Sequence, residues 1–198
     1  GTDNALENGD LVINGVGYDS IGGGSWSFDG TNDYIEVPLA NYTLNIASVT
    51  VFCWVNLSLP TFGTFFHLGD GNNGITMGVG DVYTQEPPGT KVVVLYPNIR
   101  WITNSYNMGT YSNGWNFVAI SFDSSKYPTV YLNNNAGIYI AFNDFNSVGA
   151  YKITIGREVG IPSRSLTGKI SDLRMYSRAL SASEISNYYN STKGRYGL

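Results

Sequence analysis

Polar and apolar residues alternate over short runs through most of this chain, and each run ends in a turn signal. Ser25-Trp26-Ser27-Phe28 alternates, Asp29-Gly30-Thr31-Asn32 turns, and Asp33 to Pro38 alternates again, which predicts a β-hairpin. Val49 to Asn56 is apolar on both faces, as in a central strand covered on each side. Further strands are expected at Leu11 to Ile13, Val16 to Tyr18, Thr64 to Leu68, Ile75 to Val79, Lys91 to Tyr96 and Ile99 to Thr103. Trp115 to Phe122 and Thr129 to Leu132 should pair across Asp123 to Pro128, followed by Gly137 to Phe142 and Tyr151 to Ile155. About a dozen short strands at regular spacing describe an all-β sandwich or barrel.

One helix stands apart from this pattern. In Gly168 to Asn190 an alternating segment puts Ile170, Asp172, Arg174 and Tyr176 on one side. Ser171, Leu173 and Met175 lie on the other, where Leu173 and Met175 supply the buried face. Ser181 then stands three residues before Glu184, the spacing of a capping box, with Leu180 and Ile185 at the positions of a hydrophobic staple. Ile185, Tyr188 and Tyr189 continue one apolar helical face.

Composition narrows the classes. The 198 residues fit a single domain spanning 1–198, long enough to bury a real core. Charged residues are 13%, well under the roughly 25% of an average soluble domain, while Gly, Asn, Ser and Tyr are abundant, which suits a β-protein with polar turns. A net charge of −4 without a basic run argues against electrostatic nucleic-acid binding. No apolar run approaches the ~20 residues that a membrane-spanning helix needs, so membrane insertion is not expected. Cys53 is the single cysteine, which excludes an internal disulfide and a cysteine metal cluster. The initial Gly1-Thr2 suggests an excised or processed fragment of something longer.

Four pieces in order, SWSFDGTNDYIEVP, VTVFCWVN, GWNFVAISFD with VYLNN, and ITIGREVG…LTGKISDLRMYSRALSASEI, resemble the laminin-G-like, concanavalin A-like jelly-roll family. The resemblance implies an all-β fold of two antiparallel sheets packed face to face, with one short C-terminal helix and with binding done by loops or by the concave sheet. The family includes lectin-like modules, adhesion domains, glycanases and passive structural domains. The tail Asn187 to Leu198 also resembles the C-terminal end of such domains in bacteriophage structural proteins. The expectation is therefore a non-catalytic carbohydrate or cell-surface receptor binding domain of a phage tail fibre, spike or head fibre. It would be displayed on the virion, or otherwise extracellular, with a glycan or host-surface receptor and other virion proteins as partners. Fibre and decoration proteins are commonly trimers, so a homotrimer is the expected assembly. The alternatives are a purely structural virion domain, such as a capsid decoration module, and a bacterial extracellular adhesin or carbohydrate-binding module.

The candidate chemistry agrees with binding. A glucanase-like site needs carboxylates two and four residues apart on one strand face. No Glu-x-Asp spacing occurs, and the five Glu, at 7, 36, 86, 158 and 184, are scattered. His67 sits in a strand pattern without a Gly-x-Ser-x-Gly elbow, which favours a structural histidine. Cys53 between Phe52 and Trp54 reads as a packed thiol. Asp29, Asn32 and Asp33 bring oxygens to one turn that could hold Ca²⁺, although Asp-Gly-Thr-Asn is also ordinary turn chemistry. Asp70 with Asn72 and Asn73 is a second, poorer candidate. Sugar binding needs an exposed aromatic plane flanked by amides. Tyr83 and Gln85, Trp101, and Tyr106, Asn107 and Tyr111 supply those groups, while Trp26, Trp54 and Trp115 fall inside apolar alternations expected to be core.

Overall fold

The computed structural model describes residues 12–20, 24–38, 48–57, 63–69, 74–79, 91–95, 106–107, 114–123, 128–139, 152–158 and 165–198. Strands β1 (Val12–Asn14), β4 (Tyr34–Pro38), β13 (Lys152–Ile155), β6 (Gly63–Gly69), β7 (Gly74–Val79), β8 (Lys91–Leu95) and β9 (Tyr106–Asn107) form one sheet in that spatial order. The second sheet runs β12 (Asn135–Tyr139), β11 (Pro128–Leu132), β10 (Trp115–Phe122), β5 (Val49–Leu57), β14 (Thr167–Tyr176), β3 (Ser25–Asp29) and β2 (Gly17–Asp19). All the pairings are antiparallel, so this is a two-sheet sandwich with one short C-terminal helix.

The hairpin expected at Ser25 to Pro38 does not form. β3 pairs with β14 and β2 in the second sheet, whereas β4 pairs with β1 and β13 in the first. The turn between them is a corner that carries the chain from sheet to sheet. Alternation specifies only that each strand has an inward face, and Phe28 and Ile35 do share the interior, at 4% and 5% exposed. Gly30, at φ +84°, makes the corner; Thr167 Oγ1 stands where a side chain at position 30 would go. β9 is a second difference, since Tyr106 and Asn107 fall in a stretch whose polarity reads as loop.

The second sheet explains why Val49 to Asn56 is apolar throughout. Val49, Val51, Cys53, Val55 and Leu57 face the first sheet, with Val118, Ile120 and Phe122 beside them. Phe52 and Trp54 face the opposite way, with Phe117 and Ala119, and are covered by the C-terminal helix through Leu180, Ile185 and Tyr196. Burying each of these large side chains contributes on the order of 1.5–3 kcal/mol. Trp54 therefore belongs to the layer between sheet and helix, not to the space between the sheets. Trp26 and Trp115 are half-buried against the two core layers.

Helix α1 (Ala182–Thr192) begins as its sequence requires. Ser181 Oγ accepts from the Glu184 N–H, and the Ser181 N–H donates to Glu184 Oε2 at 2.9 Å, completing the capping box. Leu180 and Ile185 are both buried in the layer beneath the helix, as the staple predicts. The alternation expected in β14 fails at one place. Its register against β5 shifts between Ser171 and Arg174, and Asp172 takes φ +51°. The bulge puts Ile170 on the same inward face as Leu173 and Met175, and turns Ser171 outward to meet Tyr196 Oη at 2.9 Å.

Candidate functional site

The six residues expected to bind sugar belong to the β7-to-β10 part of the chain. Tyr106 and Asn107 form β9, the edge of the first sheet, where their backbones pair with Val92 and Lys91. Only their backbones are described, and Tyr83, Gln85, Trp101 and Tyr111 lie outside the described residues. The register still orders the points from which these segments leave. Val79 is opposite Val92 and Lys91 opposite Asn107, so the end of β7, the start of β8 and the end of β9 share one end of the sheet. The connection holding Tyr83 and Gln85 and the connection holding Tyr111 thus depart from the same end, and Trp101 belongs to the connection that leaves β8 at the other.

The described surface offers a different aromatic plane. Tyr18, on edge strand β2, is 60% exposed, and its ring centroid lies 4.7 Å from that of Trp26 at an interplanar angle of 51°. The two residues are also backbone partners. The Tyr18 hydroxyl sits over Gly24, at φ +91°, where a Cβ would be only 2.4 Å from it. Strand pairing, Trp26 and the missing side chain at Gly24 together hold the ring in place. On the opposite, outer face of the sheet, Lys169 Nζ and Asp19 Oδ2 are 3.6 Å apart. The sequence marks Tyr18 as part of a short extended run, but nothing local distinguishes an edge strand that leaves its ring in solvent from one that is covered.

The Asp29 to Asp33 corner closes on itself. Asp33, buried at 6% exposed, accepts the Asp29 N–H at 2.9 Å, and Asp29 Oδ1 accepts the Thr31 N–H at 2.7 Å. Ser165 Oγ donates to the Thr31 carbonyl. These are the bonds of an Asx-type turn. For Ca²⁺, which takes six to eight oxygens, the corner brings Asp29, Asn32 and Asp33 close in sequence, with one oxygen of each carboxylate already on an N–H. Among the described residues, no third acidic or histidine side chain joins them in a metal-holding group. Asp70, Asn72 and Asn73 lie outside the described residues.

The sequence model of the concanavalin A-like lectin/glucanases superfamily matches residues 29–186. The chain belongs to this superfamily. No curated protein matches the sequence. Similar solved structures include the receptor-binding domain of botulinum neurotoxin D, at TM-score 0.71 and 18% identity over 92% of this chain and 47% of that one. A second is the ligand-binding domain of serotype D in complex with N-acetylneuraminic acid, at TM-score 0.68 and 17% identity over 92% and 46%. A third, at TM-score 0.68 and 15% identity over 92% and 46%, comes from botulinum neurotoxin type C, whose cell entry depends on interaction with two ganglioside molecules. At these identities the likeness is one of fold. The chain spans less than half the length of each of these structures.

The superfamily joins lectins to glucanases, which makes the carboxylates and nucleophiles of this member informative. Glu36 is paired with Lys152 at 3.0 Å. Glu184 is held by the helix cap and by Arg178 at 2.6 Å, and its pKa is lowered to about 2, first by Arg178 and then by Ser181. Glu158 is buried at 4% exposed, and Glu7 and Glu86 lie outside the described residues. His67 is fully buried, with Nδ1 at 2.8 Å from Thr76 Oγ1 across the β6–β7 pairing, as a structural histidine should be. Burial pushes the Cys53 thiol far up, the opposite of what a reactive cysteine needs.

Proposed function

We propose that this concanavalin A-like domain is a non-catalytic module that binds a glycan or a glycan-bearing cell-surface receptor. The observation that carries the proposal is the Tyr18 ring, large, fixed and 60% exposed. Such a plane stacks on the apolar face of a pyranose at little entropic cost, because it is ordered before the ligand arrives. Tyr106 and Asn107, on the edge strand of the first sheet, and Tyr83, Gln85, Trp101 and Tyr111, in the neighbouring connections of the sequence, are further candidate ligand residues. The lack of a Glu-x-Asp spacing, with Glu36 paired to Lys152 and Glu184 held in the helix cap, supports binding without hydrolysis. The solved relatives that bind gangliosides and N-acetylneuraminic acid support a glycan as the kind of partner. Titration of a bound glycan against Tyr18→Ala, Tyr106→Ala, Tyr111→Ala and Trp101→Ala tests which surface is used. Loss of about tenfold in affinity at Tyr18 is expected; full affinity in all four variants would overturn the proposal.

We further propose that the module belongs to a phage virion protein such as a tail fibre, spike or head fibre, and that it assembles as a homotrimer. The support is the likeness of residues 187–198 to the ends of phage structural domains. A structural decoration module and a bacterial adhesin are the competing readings. Antibody to the domain should label purified phage particles, and sedimentation should give three copies. Labelling confined to bacterial cells would favour the adhesin.

A further inference from the structure

We infer a second, separate ligand site between the β11–β12 turn and the first two turns of α1, built to take one neutral pyranose ring. A cleft of about 190 Å³ opens there. Its most deeply buried lining is apolar, the Tyr131 ring and Ile185 at 9% and 1% exposed, with Ala182 at the surface. Its rim is amide and hydroxyl: Asn134, Asn135 and Ser186. An apolar floor under a ring of neutral hydrogen-bonding groups is what a sugar requires, since its C–H face packs and its hydroxyls need partners that both donate and accept.

The two walls are fixed relative to one another before any ligand arrives. Asn133 adopts φ +51° and is locked to the neighbouring strand. Its N–H donates to the Phe117 carbonyl at 2.8 Å, its Oδ1 accepts the Phe117 N–H at 2.9 Å, and its Nδ2 donates to Asn116 Oδ1 at 3.2 Å. Asn134 Oδ1 then accepts from Ser186 Oγ at 2.7 Å, which ties the turn to the helix. Asn190 Nδ2 braces Ser186 Oγ from the next turn, at 3.4 Å. A preorganised cleft loses less entropy on binding than one that must be assembled.

Size and charge define the ligand class. The volume lies below the ~300–1,000 Å³ of pockets that enclose drug-sized molecules, so one ring fits and a chain of rings does not; the ligand is a terminal residue or a free monosaccharide. None of the described residues lining the cleft is charged. The helix N-terminus beside it already carries an anion, the Glu184 carboxylate held on the Ser181 N–H, which offsets the positive end of the helix and disfavours a second negative charge there. A neutral sugar is favoured over a sialic acid.

The site stands independently of the Tyr18 surface, which lies on the opposite edge of the same sheet, so the two are tested separately. The intact chain, labelled with ¹⁵N, is titrated with D-glucose, D-galactose, N-acetyl-D-glucosamine and N-acetylneuraminic acid while its amide resonances are followed. A neutral sugar should give saturable shifts at residues 131–135 and 182–186. They should be lost in Asn135→Trp, which fills the cleft, and weakened by about tenfold in Asn134→Ala, which removes one amide. Both variants should keep the dispersed spectrum of the folded chain, and Tyr18→Ala should leave the shifts unchanged. Shifts that persist in folded Asn135→Trp, the absence of shifts with any neutral sugar, or equal binding of N-acetylneuraminic acid would each overturn the inference.

Discussion

The indole N–H of Trp54, in the middle of β5, donates to the hydroxyl of Thr192 in the last turn of α1 at 3.2 Å, a contact between residues 138 positions apart. Trp54 is fully buried and Thr192 nearly so. This bond fixes the far end of the helix on the sheet, while the capping box fixes the near end. Thr192→Val keeps the shape and leaves the indole N–H buried without its acceptor, which costs about 1–3 kcal/mol. Thr192→Ser keeps the hydroxyl and should cost clearly less. Urea denaturation of the two variants checks the difference; equal midpoints would mean that the helix is held by ring packing alone.

The near end of the helix depends on pH. Glu184 has its pKa lowered from 4.5 to about 2 by Arg178 and then Ser181. A depressed carboxylate contributes stability above its unfolded pKa and loses it as pH falls through the folded value. The stability difference between the native chain and Glu184→Gln should therefore be full at neutral pH and fade between pH 4.5 and 2. Ser181→Ala should weaken the domain by roughly 0.5–2 kcal/mol at neutral pH. Melting curves of all three proteins across that range check both statements, and a pH-independent difference for Glu184→Gln would refute the assignment.

Asp172 joins the β14 bulge to the helix. Its carboxylate accepts from the Tyr188 hydroxyl and from Arg174 Nε at 2.8 Å, with Arg195 at 3.4 Å, while its backbone holds φ +51°. Asn shares with Asp a tolerance of left-handed backbone and Ala does not. Asp172→Asn should melt above Asp172→Ala, the gap reflecting backbone strain of about 1–2 kcal/mol. An inverted order would refute the assignment of backbone strain to position 172.

How much of this was legible beforehand follows from which signals are local. The capping box at Ser181 and Glu184, the staple and the alternation of the described strands other than β14 are short-range features, and the structure has them where the residues put them; the strand expected at Ile99 to Thr103 lies outside the described residues. The corner at Gly30 was not legible as a corner, because hairpins and sheet-to-sheet crossings share the same alternation and turn residues. The bulge at Asp172 was hidden for a similar reason: one inserted residue shifts every later side chain to the other face, and Leu173 and Met175 look equally inward with or without it. The doubly apolar pattern of β5 announced a cover on each side but not that the second cover is the C-terminal helix. Edge exposure, on which Tyr18 depends, is a property of the assembled sheet and has no local signal.

If Asp29, Asn32 and Asp33 held calcium, the domain would be more stable in calcium than in chelator at matched ionic strength, by about 2.7 kcal/mol for free ion at a hundred times its dissociation constant, and would melt at a higher temperature. The second carboxylate oxygens of the corner would supply the ligands, and Asp33→Asn should abolish the difference. Equal melting temperatures would assign the corner to its own hydrogen bonds.

The proposed recognition of a glycan without cleavage is tested by a glycan array probed with the intact chain and with Tyr18→Ala, followed by assay of the bound glycans for released reducing ends. The expected result is a restricted set of bound glycans, their loss or weakening in a folded Tyr18→Ala protein, and no reducing-end release. Binding to no glycan, or release of reducing sugar that disappears when one acidic residue is replaced, would contradict it.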